Sequence, residues 1–290
     1  MIFISTSNGI FKLKDSLDLP AIILKPESSL GFFGIVYYAK EKSVLAASRE
    51  KYRLNFRSKH STDVKIYEID LNSLESRERC VVPKVYDVHQ IEIINDTLFL
   101  TDTTLNRIHV FDLISNKTKG IINVGSKRKD INHINALLKN DNELWIGLNN
   151  RGRSDSEILM LSAETALMND GLKKIDALKT GKIVKLSGYQ HTHDLEVYNE
   201  AVIACASKQD SVFRTDNLEI IVHLKGFIRG LASDKEGLWV GISPTASRAE
   251  RHKSNLDAEL CLFSHNDFQL IKKIIVPGAG QLCDLLYVPK

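Results

Sequence analysis

The sequence predicts an all-β fold, a six-bladed β-propeller whose last blade combines N-terminal strands with the C-terminal strand. Three observations predict it. Apolar residues form short runs rich in β-branched and aromatic side chains, and turn residues separate these runs. Groups of such runs recur about every 50 residues. The last run of the sequence lacks partner strands after it, whereas the N-terminal segment offers strands that belong to no other group.

Each repeat contains an inner strand, a tight Asn, Asp or Gly turn, a second strand, a variable loop and outer strands. The residue just before each inner strand falls at Phe33, His89, His133, His193, Arg229 and Gln281. A period of this size with four strands per repeat is typical of propeller blades. Six inner strands therefore predict six blades, with a β-sandwich or a two-domain β protein as the alternative.

The elements follow in chain order. The strands predicted for the first five blades are 34–38, 43–47 and 64–69; 91–94, 97–100 and 107–112; 136–138, 143–146 and 157–161; 195–197, 201–204 and 211–213; and 230–232, 238–241 and 259–263. For blade six, the inner strand 283–288 takes 2–5, 9–14 and 20–24 as partners, which removes open sheet edges. One helical insert is expected at 163–178, from the spacing of its apolar residues.

Length and composition predict one domain over residues 1–290. The chain is 43% apolar, long enough to bury a core, and has no apolar run that could span a membrane. A formal charge of +3 is too balanced to favour nucleic acid as a partner. The N-terminus does not resemble a signal peptide, and the cysteines are widely spaced, so we expect a cytoplasmic protein with reduced thiols at Cys80, Cys205, Cys261 and Cys283.

The candidate catalytic residues come from the starts of the inner strands. In a propeller these strands line a central channel, and their first residues lie at one end of it, here called the mouth. Three of the nine histidines occupy this position in consecutive blades. Imidazole titrates near neutral pH and can act as a general acid or base, and Asp194 or Glu196 could orient one. The predicted catalytic residues are His89, His133, His193 and Asp194. Further side chains could also project inward, namely Gln90, Glu92, Asn135 and Asp284.

Arginines predict a small anionic substrate at the same mouth. Arg229 and Gln281 occupy equivalent positions there, and three loops rich in Arg and Lys carry Arg49, Arg151 and Arg248. Arginine binds carboxylate, phosphate or sulfate with two hydrogen bonds, and a positive funnel raises the on-rate of an anion. Tyr52 and Phe56, in the first of these loops, could cover the ligand as a lid. Nucleic acid is a weaker alternative, since the basic residues are confined to one mouth.

A metal is the open alternative for the histidines. Three neutral imidazoles can bind one divalent transition metal and leave a position open. The predicted ligands would be His89, His133 and His193.

The motifs also resemble known propellers. Residues 89–92, 132–135, 192–196 and 229–231 are similar to those of an uncharacterised bacterial six-bladed propeller family, a domain of unknown function, and the Leu-Trp strands at 143–147 and 237–241 look like those of many bacterial six-bladed propellers. His193-Asp194 before an inner strand is distantly similar to arylsulfate sulfotransferase propellers, and the channel histidines to virginiamycin B lyases. The first family uses a channel histidine covalently and the second uses one as a base. The resemblance implies that His193 is reactive.

Two functions remain open. The preferred one is an enzyme, a lyase, hydrolase or group-transfer enzyme, that acts on a small anion at the mouth. The alternative is a non-catalytic propeller that binds a ligand or a protein partner, because propellers host both roles.

Overall fold

The computed structural model describes residues 1–14, 19–27, 30–50, 63–125, 130–168, 173–243, 246–247, 250 and 252–289. The strands form six small sheets. The inner strand of each sheet contacts the inner strands of two neighbouring sheets, and these contacts close into a ring. The chain therefore folds as a six-bladed β-propeller, as the sequence predicts.

The blades follow one another along the chain. The N-terminal strands β1 (Ile2–Thr6), β2 (Gly9–Leu13) and β3 (Ala21–Leu24) belong to blade six. Blade one consists of β4 (Leu30–Tyr38), β5 (Ser43–Glu50), β6 (Val64–Asp70) and β7 (Ser76–Val82). Blade two begins with β8 (Ile91–Ile94), β9 (Thr97–Asp102), β10 (Arg107–Asp112) and β11 (Lys117–Asn123). Blade three contains β12 (Ile134–Asn140), β13 (Glu143–Leu148) and β14 (Glu157–Ser162).

The remaining elements complete the circle. The short helix α1 (Ala163–Leu167) precedes β15 (Lys174–Asp176), a fifth strand of blade two, and α2 (Ala177–Thr180) precedes β16 (Lys182–Lys185), the outer strand of blade three. Blade four consists of β17 (Thr192–Tyr198), β18 (Ala201–Ala206), β19 (Ser211–Arg214) and β20 (Ile220–His223), and blade five of β21 (Phe227–Ser233), β22 (Leu238–Ser243), β23 (Ala258–Phe263) and β24 (Leu270–Val276). The chain then returns to blade six as β25 (Leu282–Tyr287). Single-turn 3₁₀ helices lie at Ala39–Glu41, Thr103–Leu105 and Asn150–Gly152.

Blade six closes the ring as predicted. β25 pairs antiparallel with β1, and Ile2 lies opposite Tyr287 in the register. The amino group of Met1 also donates a hydrogen bond of 2.9 Å to the carbonyl of Val288. The N-terminal strand β1 therefore supplies the partner of β25, and β1 itself is paired on both edges, with β25 and with β2.

The apolar core is divided into six clusters, one between each pair of adjacent blades. A middle strand such as β9 is buried along its whole length, because both faces of its sheet pack against neighbouring blades. This explains why the strands read as continuous apolar runs and not as strict alternation. Gly34 shows how closely the inner strands approach, since a Cβ there would lie 2.7 Å from the backbone nitrogen of Ile91 in the next blade.

The predicted helical insert at 163–178 is wrong as a single helix. The helix α1 ends at Met168, which adopts a left-handed conformation with φ of 54°. Ile175 instead lies in β15, where it pairs in parallel with Ile122 of β11. Burial of Ile175 in the core between blades two and three outweighs the helical spacing of the segment. Leu172 lies outside the described residues.

Candidate functional site

Backbone bulges aim side chains into the channel at the starts of five inner strands. The register between each inner strand and its neighbour skips one residue, or two in blade five. The skipped residues are Phe33, Asn135, Asp194, Arg229 with Gly230, and Cys283. A bulge re-aims a side chain that regular pairing would send elsewhere. The inner strands thus present irregular, largely polar positions at equivalent heights around the channel.

Strained backbone lies at or close to these bulges. His133 and Asp194 have φ of 49° and 52°, a left-handed conformation that residues with a Cβ rarely adopt. In blade five this conformation falls on Gly230, with φ of 80°, directly after Arg229. Such strain is kept where the surrounding fold fixes it, and it clusters at functional sites.

A small cavity of about 10 Å³ lies at this level of the channel. It is lined by residues from blades two to six, namely His89, Gln90, Asn135, His193, Asp194, Arg229 and Cys283. The fold therefore brings together His89, His193, Asp194 and Arg229, which the sequence predicted as site residues. Gln281 is buried but is not among the lining residues, and its backbone instead exchanges hydrogen bonds with Ser7 of blade six.

His89 belongs to a buried charge cluster. Nε of Arg49 lies 2.7 Å from Oδ1 of Asp87, and NH1 of Arg49 donates to Nε2 of His89 at 3.1 Å. Burial and the neighbouring Arg49 lower the pKa of His89 to about 3, so its imidazole is neutral at pH 7. Burial alone would raise the pKa of Asp87, but Arg49 and then His89 hold it below its usual range. The guanidinium of Arg49 also lies 4.2 Å from the ring centroid of Phe33. Arg49 stands at the end of β5, and its charge is balanced by Asp87.

His133 forms a pair with Asp130. Nδ1 of His133 lies 2.9 Å from Oδ2 of Asp130, whose side chain is 4% exposed, whereas 22% of the His133 side chain is exposed. A carboxylate only accepts, so Nδ1 donates the hydrogen bond. In the described residues no protein group hydrogen-bonds to Nε2 of His133. The His133 ring also meets that of His89, with centroids 5.1 Å apart.

His193 is held by neutral partners. Its Nδ1 lies 2.7 Å from the carbonyl of His191 and 2.8 Å from Oγ of Ser207, which itself donates to the carbonyl of Ile228. Since a carbonyl oxygen only accepts, Nδ1 carries the hydrogen. Burial first, and Arg229 next, lower the pKa of His193 well below its usual value. The imidazole is therefore neutral, with its lone pair on Nε2.

The expectation that Asp194 or Glu196 orients an imidazole is wrong. The Asp194 carboxyl accepts from the backbone N–H groups of Leu195 and, in the next blade, Leu231. Glu196 accepts from the hydroxyl of Ser233, also in the next blade. Both carboxyls fasten blade four to blade five. Burial raises the pKa of Asp194 to about 7 and that of Glu196 to about 8.

The opposite end of the channel is wider and acidic. A cavity of about 650 Å³ there is lined in part by Glu92, Asp194, Glu196 and Asp284. Asp284 accepts from the backbone of Ile35, and Glu92 from that of Lys139, so these carboxyls also join neighbouring blades. Burial raises the pKa of both groups.

The loops around the mouth place further residues beside the histidines. NH1 of Arg151 lies 3.3 Å from the carbonyl of Asp130 and 3.8 Å from its Oδ2. The following Gly152 is required by its surroundings: its φ is +62°, and a Cβ there would lie 2.1 Å from Nε2 of His191. From the blade-five loop, His252 is buried with its ring centroid 6.4 Å from that of Phe33. Arg248, Tyr52 and Phe56 lie outside the described residues.

The predicted metal site receives no geometric support. Among the residues that the structure describes, no group of three or more His, Cys, Asp or Glu side chains has an arrangement that could hold a metal ion. His89 and His133 lie side by side, but the Nδ1 atoms of His133 and His193 are committed to Asp130 and to the His191 carbonyl.

Asp87 and Asp130 are the site residues that sequence reasoning missed. Each precedes a mouth histidine by two or three positions, in Asp87-Val88-His89 and Asp130-Ile131-Asn132-His133. An acidic residue shortly before a histidine at the same position in two successive repeats was the available signal.

Comparisons with known proteins support the fold alone. No protein-family model matches the chain, and no curated protein matches it in sequence, so the resemblances inferred from motifs receive no support there. Among solved structures, a nidogen–laminin complex contains a chain of TM-score 0.68 and 10% identity, with 98% of this chain and 96% of that chain covered. A Bacteroides uniformis ATCC 8492 protein proposed to be a 6-phosphogluconolactonase matches with TM-score 0.58 and 12% identity, over 95% and 82%. A chain of the mitotic checkpoint complex matches with TM-score 0.51 and 9% identity, over 94% and 74%.

In the described residues, no helix is both long enough and apolar enough to cross a membrane.

The six sheets arranged in a ring define the class of protein as the β-propellers, whose members have unrelated functions.

Proposed function

We propose that the chain is an enzyme that acts on a small anionic molecule at the histidine-lined mouth of the channel. The observation that carries this proposal is the hydrogen bond between His133 and Asp130. A buried carboxylate that fixes the tautomer of a partly exposed imidazole is an arrangement suited to proton transfer.

His133 is the acid–base residue in this proposal. Asp130 accepts the hydrogen bond from Nδ1, which leaves the lone pair of Nε2 for a proton of the substrate. Asp130 also stabilises the imidazolium that forms when Nε2 takes that proton. Lyase, hydrolase and group-transfer reactions all need such a step, so the proposal stays at this level.

His89 has a different role. Its low pKa and its contact with Arg49 make it a poor base at neutral pH. It packs against the ring of His133 and accepts from the guanidinium, so we assign it to positioning both groups. His193, which lines the cavity, is assigned to substrate binding, and Asp194 to joining blades four and five.

We attribute the binding of the anion to the arginines at the mouth. Arg229 lines the cavity, and 37% of the Arg151 side chain is exposed beside Asp130. A guanidinium presents N–H donors in a planar fork that matches a carboxylate, phosphate or sulfate, so arginines at this position are suited to bind an anion. Arg49 contributes less net charge, because Asp87 balances it.

The test is a screen followed by matched variants. Thermal stabilisation by carboxylated, phosphorylated and sulfated compounds identifies ligands, and each ligand is then assayed for turnover. We expect His133→Gln to lower kcat at least about 100-fold and Asp130→Asn to lower it about 10- to 100-fold. The control is His223→Gln, which changes an exposed histidine of the outer strand β20.

Three results would contradict the proposal in different ways. Full activity in His133→Gln would remove His133 from the chemistry. Ligands that bind without turnover would favour the non-catalytic propeller. Stabilisation by none of the anions would reject the mouth as an anion site.

A further inference from the structure

Asn135 carries a buried amide that has no hydrogen-bond partner in the described part of the chain. Its residue is 6% exposed, and it lines the cavity of about 10 Å³ below the mouth. Among the described residues, neither Oδ1 nor Nδ2 has a hydrogen-bond partner. Buried amides that lose both hydrogen bonds are costly and rare, so a group absent from the protein itself is expected to satisfy this one.

The shape of the cavity limits what that group can be. A volume of about 10 Å³ is close to the smallest that holds one water molecule. The ligand can therefore insert a single oxygen atom next to Asn135, and not a whole carboxylate or phosphate.

The chemistry of Asn135 limits the group further. Both a donor and an acceptor are unsatisfied, so the conclusion does not depend on which end of the amide is nitrogen. A carboxylate or phosphate oxygen without a proton only accepts and would leave Oδ1 unpaired. A hydroxyl oxygen both donates and accepts.

We infer that the ligand of the mouth is a hydroxyl-bearing anion, and that Asn135 binds its hydroxyl group in this cavity. The inference rests on the proposed function, since the anionic group is assigned to the arginines above. Asn135 is then the specificity-determining residue that separates hydroxylated anions from their deoxy analogues. A water molecule takes the place of the hydroxyl when no ligand is bound.

The experiment compares matched pairs of probes. Glycolate and acetate form one pair, and glycerol 3-phosphate and n-propyl phosphate the other, so the arms distinguish carboxylate from phosphate. Affinities are measured by isothermal titration for the wild-type chain and for Asn135→Leu, whose side chain has the same number and branching of heavy atoms but no hydrogen-bonding group. We expect the wild type to bind the hydroxylated member of at least one pair about tenfold more tightly, and the variant to bind both members equally.

The control removes another buried group without a partner. Ser43 is 1% exposed, and its Oγ has no hydrogen-bond partner among the described residues. It begins β5, whereas Arg49 lies six residues along that strand, about 20 Å away. Ser43→Ala should keep the tenfold preference. If Asn135→Leu fails to fold, Asn135→Ala replaces it, and Asn135→Ser, which retains a donor and an acceptor, should keep part of the preference.

The outcomes separate this inference from the proposed function. Equal binding of both members of each pair by the wild type would overturn the inference and leave the anion site standing. A preference that survives in Asn135→Leu or Asn135→Ala would also overturn it. Failure of all four probes to bind would overturn the inference, whereas the proposed function fails only if the wider screen of carboxylated, phosphorylated and sulfated compounds also finds no ligand.

Discussion

Nδ1 of His133 lies 2.9 Å from Oδ2 of Asp130, so a carboxylate inside the mouth fixes one nitrogen of an imidazole at its opening. His133 reaches this position through a left-handed backbone conformation, with φ of 49°. The same conformation at Asp194 gives a different result, because that carboxyl bonds to backbone N–H groups of two blades. Similar local geometry therefore places an imidazole beside a carboxylate in blade three and joins two blades in blade four.

The exposure of His133 predicts its reactivity. Diethyl pyrocarbonate attacks an imidazole nitrogen that carries a lone pair and is accessible to solvent, and no described protein group hydrogen-bonds to Nε2 of His133. Because 22% of the His133 side chain is exposed, against 9% for His89, we expect His133 to be modified several times faster. Peptide mass spectrometry over time measures both rates, with exposed His223 as the reference. Equal rates for His89 and His133 would contradict the assigned environments.

The buried titratable groups predict how stability depends on pH. His89 and His193 have lowered pKa values, so their contribution to stability is complete above about pH 6.5 and is lost as the pH falls. Asp194 and Glu196 have pKa values raised to about 7 and about 8, so their contribution is complete below about pH 4 and is lost as the pH rises through 7 to 8. Between pH 6.5 and 8 only the carboxyl effect changes.

The free energy of unfolding should therefore fall across that window, by roughly 1 kcal/mol per pH unit for each carboxyl. Urea denaturation at several pH values measures it. Glu196→Gln removes one of the buried carboxyls with a raised pKa and should make the decrease shallower. A wild-type stability that rises from pH 6.5 to 8 would show that these carboxyls are ionised at little cost in the folded state.

Because Arg49 and Asp87 form a buried ion pair, we expect the effects of substituting them on the free energy of unfolding to be strongly coupled. Arg49→Met leaves a buried carboxylate without its arginine, and we expect a loss of about 3–5 kcal/mol in the free energy of unfolding. Adding Asp87→Asn should restore much of that loss, since no buried charge then lacks a partner. A double-mutant cycle by chemical denaturation measures the coupling. Additive effects of the two substitutions would mean that the pair is not formed in solution.

A substitution at Gly152 should disturb the imidazole of His191, because the two residues are in close contact. Gly152→Ala places a Cβ against the imidazole at a residue with φ of +62°. We expect a loss of about 1–2 kcal/mol in stability and weaker binding of any anion that requires Arg151. The matched control is Gly188→Ala, where φ is also positive, +87°, but nothing lies within 4 Å of the added Cβ. Gly188→Ala should lose stability but bind the anion as the wild type does. Equal losses of affinity in Gly152→Ala and Gly188→Ala would refute the role of the contact between residue 152 and His191.

Substitutions of Asp284 measure how much one hydrogen bond between blades six and one contributes to stability. Its Oδ2 accepts a 2.9 Å hydrogen bond from the backbone of Ile35. Asp284→Ala leaves that buried N–H unpaired and should cost about 1–3 kcal/mol. Asp284→Asn keeps an acceptor oxygen, and burial already raises the pKa of Asp284 so that its neutral form is favoured. Denaturation should therefore show a much smaller change for Asn than for Ala.

The repeat in the sequence was sufficient to predict the fold. Inner strands recur with a turn and a second strand after each, and the closure of blade six followed because β25 had no partner after it. The segment at 163–178 failed because Ile175 serves a neighbouring sheet, a tertiary contact that spacing within one segment does not reveal.

The site was predicted less completely, for a geometric reason. The mouth positions of His89, His193 and Arg229 were read from the repeat, and these residues meet at one cavity. Asn135 was also expected to project inward, and a bulge places it at this cavity. Bulges decided the rest: one brings Cys283 to the cavity, whereas Gln281 makes its hydrogen bonds with Ser7 through its backbone. A shift of one residue reverses the side of a strand that a side chain faces, and the sequence does not mark where such a shift occurs.

The seam between β1 and β25 has a kinetic consequence. Ile2 and Tyr287 can pair only when distant parts of the chain have met, so the gain from their contacts comes after the entropy of closure has been lost. If the seam forms after the rate-limiting barrier, substitutions in it leave the refolding rate unchanged and accelerate unfolding. We therefore expect this pairing to govern the lifetime of the native state and not the time needed to reach it.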